Sequence, residues 1–263
     1  MQSKKLAHGS VFSGIGGFDL AAQQAGFENV FYCEQESFGL NILEYYWPQA
    51  VKFKDIRNSD FTIFKGLIDV LSGGFPCQDA SNAKQDDSRN SGLNGAKTSL
   101  FYEMCRVISE VKPPFVVLEN VSNILRIDKG SDFKRILSAL SQMGYNAEWR
   151  TLRASDIGAP HHRERLYMVA YSDSIRMQRN ESFFALLPDQ VEPKPRKIKG
   201  TDVQINAGKS WLCEPPVYIM DDGLPDRLDL LSKSIHAVGN AVVPQLPYYI
   251  FSAIKMYLDN KTR

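Results

Sequence analysis

Short apolar runs alternate with amphipathic helical patterns through the first 170 residues, and that alternation leaves few folds open. Candidate strands lie at 6–12, 29–33, 67–72, 115–119, 145–151 and 165–171, with candidate helices at 18–25, 38–46, 100–111 and 131–143. Strands and helices taken in turn predict an α/β fold, a doubly wound, mostly parallel sheet with helices on both faces. A length of 263 residues suits one such domain with a small insertion. Residues 172–232 interrupt the pattern. Within them Glu192-Pro193-Lys194-Pro195-Arg196-Lys197-Ile198-Lys199-Gly200 is proline-rich and basic, which predicts irregular structure. A capped helical pattern returns at 244–259. The expected organisation is a main domain over 1–171, an insertion over 172–232 and a return to the main domain over 233–263.

Composition narrows the function classes. The net charge of +1 gives no global basic field, so any nucleic-acid surface must be local. Cys33, Cys77, Cys105 and Cys213 form no C-x-x-C pair, which argues against a zinc centre and a disulfide framework and favours a reduced, cytoplasmic setting. His161 and His162 lack further ligands at useful spacing, so no metal is expected. Met1-Gln2-Ser3-Lys4-Lys5 leads into no signal-like apolar core, and no segment approaches the roughly 20 apolar residues of a membrane span.

Five motifs carry the chemistry. Gly73-Gly74-Phe75-Pro76-Cys77-Gln78 closes an apolar run. Its glycines permit a sharp turn and a close ligand, and Pro76 stiffens the approach to Cys77. Cys77 is the only cysteine in such a turn, and the others read as structural. Val11-Phe12-Ser13-Gly14-Ile15-Gly16-Gly17-Phe18-Asp19 opens a helix with a glycine turn, although Asp19 stands where a dinucleotide fingerprint needs glycine. Glu34 ends the next strand twenty residues after Gly14, where an acid can hold ribose hydroxyls, and Asp55-Ile56 follows a third apolar stretch. Both acids could equally be ordinary solvated carboxylates. Val116-Val117-Leu118-Glu119-Asn120-Val121 is a strand ending in a carboxylate, readable as a surface acid or as a general acid. His161-His162-Arg163-Glu164-Arg165-Leu166-Tyr167 alternates two arginines towards one side, and Gly239-Asn240-Ala241-Val242-Val243-Pro244 precedes the last helix. The polar stretch 82–98 reads as a plain surface loop or as a lid.

Taken in chain order, the motifs resemble the cytosine-5 DNA methyltransferase family over roughly residues 8–171 and 234–258. The resemblance implies S-adenosylmethionine as cofactor, with Phe12, Gly14, Gly16, Gly17 and Phe18 lining its methionine part and Glu34 on the ribose. Asp55 and Ile56 would take the adenine, and Pro76, Leu100, Asn240 and Val242 would complete the site. It implies Cys77 as the nucleophile that adds to carbon 6 of a flipped-out cytosine, Glu119 as the acid at N3, and Arg163 and Arg165 as active-site arginines. The lid would bring Lys84, Arg89 and Lys97 to DNA, with Gln78 and Ser81 as further DNA contacts, and the insertion would carry target recognition. There, seven basic residues face four acidic ones between Arg176 and Lys209, with Lys194, Arg196, Lys197 and Lys199 as phosphate contacts or simply a solvated run.

Departures from the family pattern are His161 in place of the common Gln and the absence of a clear Arg-, Thr- and Pro-rich motif before Gly239. Residues 211–229 are similar to a variant in phage-like members. The expectation is DNA (cytosine-5) methylation in restriction–modification or phage DNA protection. The expected partner is double-stranded DNA, met by a monomer away from any membrane, with a cognate restriction endonuclease acting separately. Two alternatives are an RNA (tRNA) cytosine-5 methyltransferase and a non-catalytic DNA-binding regulator.

Overall fold

The computed structural model describes residues 5–75, 98–159, 162–175, 181–187, 196–197, 204–205 and 240–261. Its main sheet contains β1 (Leu6–Val11), β2 (Phe27–Cys33), β3 (Val51–Phe53), β4 (Val70–Gly73), β5 (Phe115–Val121), β6 (Tyr145–Arg153) and β7 (Glu164–Ser172). The order across the sheet is β3-β2-β1-β4-β5-β7-β6. The first five strands are parallel, and β7 runs antiparallel to both β5 and β6. The helices are α1 (Gly17–Gln24), α2 (Ser37–Tyr46), α3 (Thr98–Val111), α4 (Ser131–Gln142) and α5 (Gln245–Lys261). Arg196–Lys197 (β8) and Gln204–Ile205 (β9) pair as a separate antiparallel ladder. The fold is therefore α/β, doubly wound and mostly parallel. Among the described residues no helix is long and apolar enough to cross a membrane.

Side-chain alternation explains why both faces are covered. Along β5, Phe115 and Val117 join the cluster built on α1 and α5, while Val116 and Leu118 join the one built on α3 and α4. β7 repeats this, with Tyr167 and Val169 on the first side and Leu166, Met168 and Ala170 on the second. The stretches 115–118 and 166–170, covered on both faces, carry only apolar and aromatic side chains. Phe183 and Phe184, from the start of the expected insertion, are buried in the α1–α5 cluster, where the Phe183 ring lies 5.2 Å from Phe115.

Several boundaries differ from expectation. The run at 67–72 is not strand throughout: Gly66 takes φ 73°, Leu67 is 60% exposed, and pairing begins at Val70. Asp69 marks the entry, its carboxylate accepting the Ala7 N–H at 2.7 Å. β1 stops at Val11 because Phe12 adopts φ 53°, off the extended path. β3, three residues long with Lys52 at its centre, is too short and too polar for alternation to predict it as a strand. The direction of β7 is not encoded in hydrophobic alternation, so the antiparallel hairpin was not foreseen either.

The topology locates the site. β2 and β3 lie on one side of β1, and β4 and β5 on the other, so the strand order reverses between β1 and β4. Crevices beyond the carboxyl ends of strands at such a reversal are where open α/β sheets bind ligands.

Candidate active site

The carboxyl ends of β1 and β4 stand abreast of Leu118 in β5 at the reversal. Val11 pairs with Gly73, and Gly73 pairs with Leu118. The next residues are Phe12, Gly74 and Glu119, so the glycine turn, the approach to Cys77 and the candidate acid emerge side by side. A Cβ at Gly74 would lie 3.2 Å from Glu119 Oε2, a tight contact that the glycine avoids as the chain passes the carboxyl. Asn120 donates from Nδ2 to the Phe75 carbonyl at 3.1 Å, pinning the segment two residues ahead of Cys77.

Glu119 is 8% exposed and pairs across β7 with Tyr167. Arg165 Nε lies 3.1 Å from Glu119 Oε1. Arg163 sits one residue before β7, yet its charge also reaches Glu119. Burial raises the Glu119 pKa above the ordinary carboxylate range, against the opposing pull of Arg165 and then Arg163. Burial and the neighbouring Arg165 lower the Arg163 pKa, while Glu119 supports its charge. The arrangement is a carboxyl biased towards its protonated form and framed by two cations, able to donate a proton to a base and to stabilise negative charge on it.

The cofactor side is shaped mainly by backbone. Gly14 and Gly16 take φ 56° and 84°, a region that favours glycine. A Cβ at Gly16 would meet the Trp47 ring at 2.5 Å, and one at Gly17 the Val242 carbonyl at the same distance. The segment ahead of α5 thus folds back against the first turn of α1, as the resemblance implies for Val242, while Asn240 is exposed. Glu34 accepts the Gly14 N–H at 2.6 Å and the Glu36 N–H at 2.8 Å, one on each oxygen. Phe18 is buried against Phe251. The Asp55 carboxylate takes the forked guanidinium of Arg57, Ile56 is buried, and Leu100 packs on the same core from α3. The space beyond Gly14, where a Cβ would project, is open. A glycine cradle with open space, an acid at the end of β2 and an apolar residue at 56 fit S-adenosylmethionine.

Sequence reasoning missed a buried polar network beneath this turn. Ser10 Oγ donates to Asp19 Oδ1 at 2.7 Å and contacts Ser13 Oγ at 2.7 Å, and Ser13 Oγ bonds both the carbonyl and the N–H of Cys33. His8 bridges Asn29 Oδ1 and Ser72 Oγ at 2.6 and 2.8 Å, and Asn29 Nδ2 reaches the Asp19 carbonyl. Burial pushes the Asp19 pKa up to about 7 and the His8 pKa down to about 4, so both favour their neutral forms. Gly39 was missed too, although glycine inside a helix is a signal: its missing Cβ makes room for the Gly14 carbonyl.

Burial pushes the Cys33 and Cys105 thiols up to about 12 and 11, which suits the structural role expected of them. Pro76, Cys77, Gln78, Ser81, Lys84, Arg89, Lys97, His161, Lys194, Lys199 and Cys213 lie outside the described residues. Of Arg196 and Lys197, the structure describes only the backbone ladder with β9.

A model of the C-5 cytosine-specific DNA methylase family matches residues 6–211. The chain belongs to that family. It is 30% identical over 244 residues to the Type II methyltransferase M.PspPI of Psychrobacter sp., covering 87% of this chain and 58% of that protein. It is 33% identical over 165 residues to the Type II methyltransferase M.NgoBI of Neisseria gonorrhoeae, covering 63% of this chain and 50% of that one. The chain thus spans about half the length of these methylase relatives. The structure of an Entamoeba histolytica methyltransferase covers 99% of this chain and 100% of its own at a TM-score of 0.61 and 15% identity, a likeness of fold.

Proposed function

We propose that this member of the methylase family is a DNA (cytosine-5)-methyltransferase. It would use S-adenosylmethionine to methylate carbon 5 of a cytosine flipped out of a short duplex sequence. The observation that carries the reading is the Glu119 carboxyl, buried between two arginine charges and packed on Gly74, three residues ahead of Cys77.

Each residue then has a task. The Cys77 thiolate adds to carbon 6 of the ring, which turns carbon 5 into an enamine nucleophile. Glu119 donates to N3 as that addition places charge there, and Arg165 holds the carboxyl in place. Asn120 fixes the Phe75 carbonyl and so the approach to Cys77. The bound cofactor supplies an electrophilic methyl group. Gly14, Gly16 and Gly17 leave room for its methionine end, with Phe12 and Phe18 beside them. Glu34 offers its remaining lone pairs to the ribose, and Asp55 and Ile56 meet the adenine, with Pro76, Leu100, Asn240 and Val242 completing the wall. After transfer, a base removes the carbon 5 proton and Cys77 leaves by elimination.

The wider reading places the division at 1–171, 172–232 and 233–263, with target recognition in the middle part. Gln78, Ser81, Lys84, Arg89 and Lys97 would close on the DNA, and Lys194, Arg196, Lys197 and Lys199 would meet phosphates. The protein acts in the cytoplasm as a monomer, in restriction–modification or phage DNA protection, with any cognate endonuclease acting separately. Bisulfite sequencing of plasmid DNA from cells expressing the chain tests this. Protected cytosines in one short sequence context support it. Unmodified DNA alongside a methylated tRNA cytosine would move the activity to RNA, and neither product would leave a non-catalytic binder.

A further inference from the structure

Arg106 lies on α3, about fifty residues along the chain from the Asp55–Phe61 segment, and ties that segment down. Its Nη2 donates to the Ile56 carbonyl and its Nη1 to the Ser59 carbonyl at 3.1 Å. The same guanidinium pairs with Glu103 Oε2 at 2.8 Å and Glu110 Oε1 at 2.6 Å. The other oxygen of Glu110 accepts the Phe61 N–H at 3.0 Å. Two carbonyls and one amide of an irregular segment are therefore held by one helix face, where no sheet ladder could satisfy them. The two carboxylates keep the guanidinium oriented while its remaining N–H groups face the carbonyls. The opposite face of α3 is fixed in the core through Met104, Val107, Ile108 and Val111, so the anchor is rigid. At its start, α3 also packs Phe101 on Phe75, with ring centroids 5.4 Å apart.

We infer that Arg106, with Glu110, is a positioning residue for the adenine end of the cofactor: it fixes the backbone from the Ile56 carbonyl to the Phe61 amide, directly after Asp55, so that an adenine edge is read. This rests on the methyltransferase reading of the site. A backbone segment released from its anchor still exists and still offers Asp55, but its polar groups no longer hold one geometry. The cost should therefore fall on adenine selectivity before it falls on the chemical step.

The test is calorimetric titration of the purified full chain with S-adenosylhomocysteine and with S-inosylhomocysteine, in which oxygen replaces the adenine amino group. The unmodified protein should prefer the adenine ligand. Arg106→Met should weaken adenine-ligand binding about tenfold, roughly the loss of one well-made hydrogen bond, while hardly changing inosine-ligand binding. Arg106→Lys should fall between, and kcat at saturating S-adenosylmethionine should hold. Equal weakening of both ligands with a lower melting temperature, or an unchanged preference, overturns the inference. If Arg106→Met does not fold, Glu110→Gln decides by the same ratio. A wild-type chain that binds neither ligand would instead remove the cofactor reading on which the inference stands.

Discussion

Two buried carboxyls, Asp19 on α1 and Glu119 on β5, do opposite things. Asp19, under the glycine turn, accepts the Ser10 hydroxyl on Oδ1 and is 0% exposed. Glu119, near the carboxyl end of β5, is framed by arginines. Burial raises both pKa values, yet only Glu119 lies beside cations and on the path to Cys77. The turn end of the site is built from missing side chains and neutral hydrogen bonds, and the β5 end from charge. Damage at the first should therefore appear as lost affinity or stability, and damage at the second as lost rate.

Cys77→Ser should have the largest effect, abolishing methyl transfer while cofactor binding and fold persist, because a hydroxyl lacks the thiolate's nucleophilicity at neutral pH. Labelled methyl incorporation beside a binding titration checks it, and near-normal incorporation removes Cys77 from the mechanism.

Glu119→Gln should lower kcat by about 10²–10⁴-fold, the usual worth of general acid catalysis, with cofactor affinity retained. With its pKa raised, Glu119 stays protonated to higher pH than an ordinary carboxylate, so wild-type turnover should fall as pH rises through that value. The Gln variant should lose this limb.

Asp19→Asn makes the same isosteric change and should leave kcat at neutral pH nearly intact. Its signature is in stability. A folded Asp19 pKa raised from 3.8 to about 7 gives a contribution fully present below 3.8 and lost as pH rises to about 7. His8, lowered from 6.5 to about 4, gives one present above 6.5 and lost as pH falls to about 4. The two oppose each other in the wild type. The Asn variant should therefore lose stability steeply between about pH 6.5 and 4, by up to about 3 kcal/mol, in denaturant melts across that range. A rate loss in Asp19→Asn matching that of Glu119→Gln would erase the distinction between the two ends.

Gly17→Ala should have the smallest effect, about 1–3 kcal/mol of stability, because its Cβ would press on the Val242 carbonyl, which must shift. Its KM for the cofactor should rise with kcat kept. A fall in kcat alone would mean that the turn takes part in the chemistry.

Much of this was legible in the sequence because strands buried on both faces are continuous apolar runs and glycine turns follow them. The expected ends of β1 and β4 lie within one residue of those observed, and β5 runs two residues past Glu119. Strand direction and order could not, since the β6–β7 hairpin has the same alternation as a parallel pair. The polar network was hidden because His8, Ser10 and Asp19 look ordinary until burial removes water from them. Arg106 was hidden for a different reason: its partners at Ile56 and Ser59 are backbone carbonyls, which carry no residue-type signal.

The most direct measurement is a covalent trap. Duplex DNA with 5-fluorocytosine at the methylated position is incubated with the protein and S-adenosylmethionine, and the product is mapped by mass spectrometry. Fluorine at carbon 5 blocks the elimination that would free the enzyme. The expected product is a methylated adduct at Cys77 that requires the cofactor, is absent in Cys77→Ser and forms slowly in Glu119→Gln. An active enzyme that gives no adduct, or one linked through another residue, would contradict the assignment of Cys77 as nucleophile and Glu119 as its partner acid.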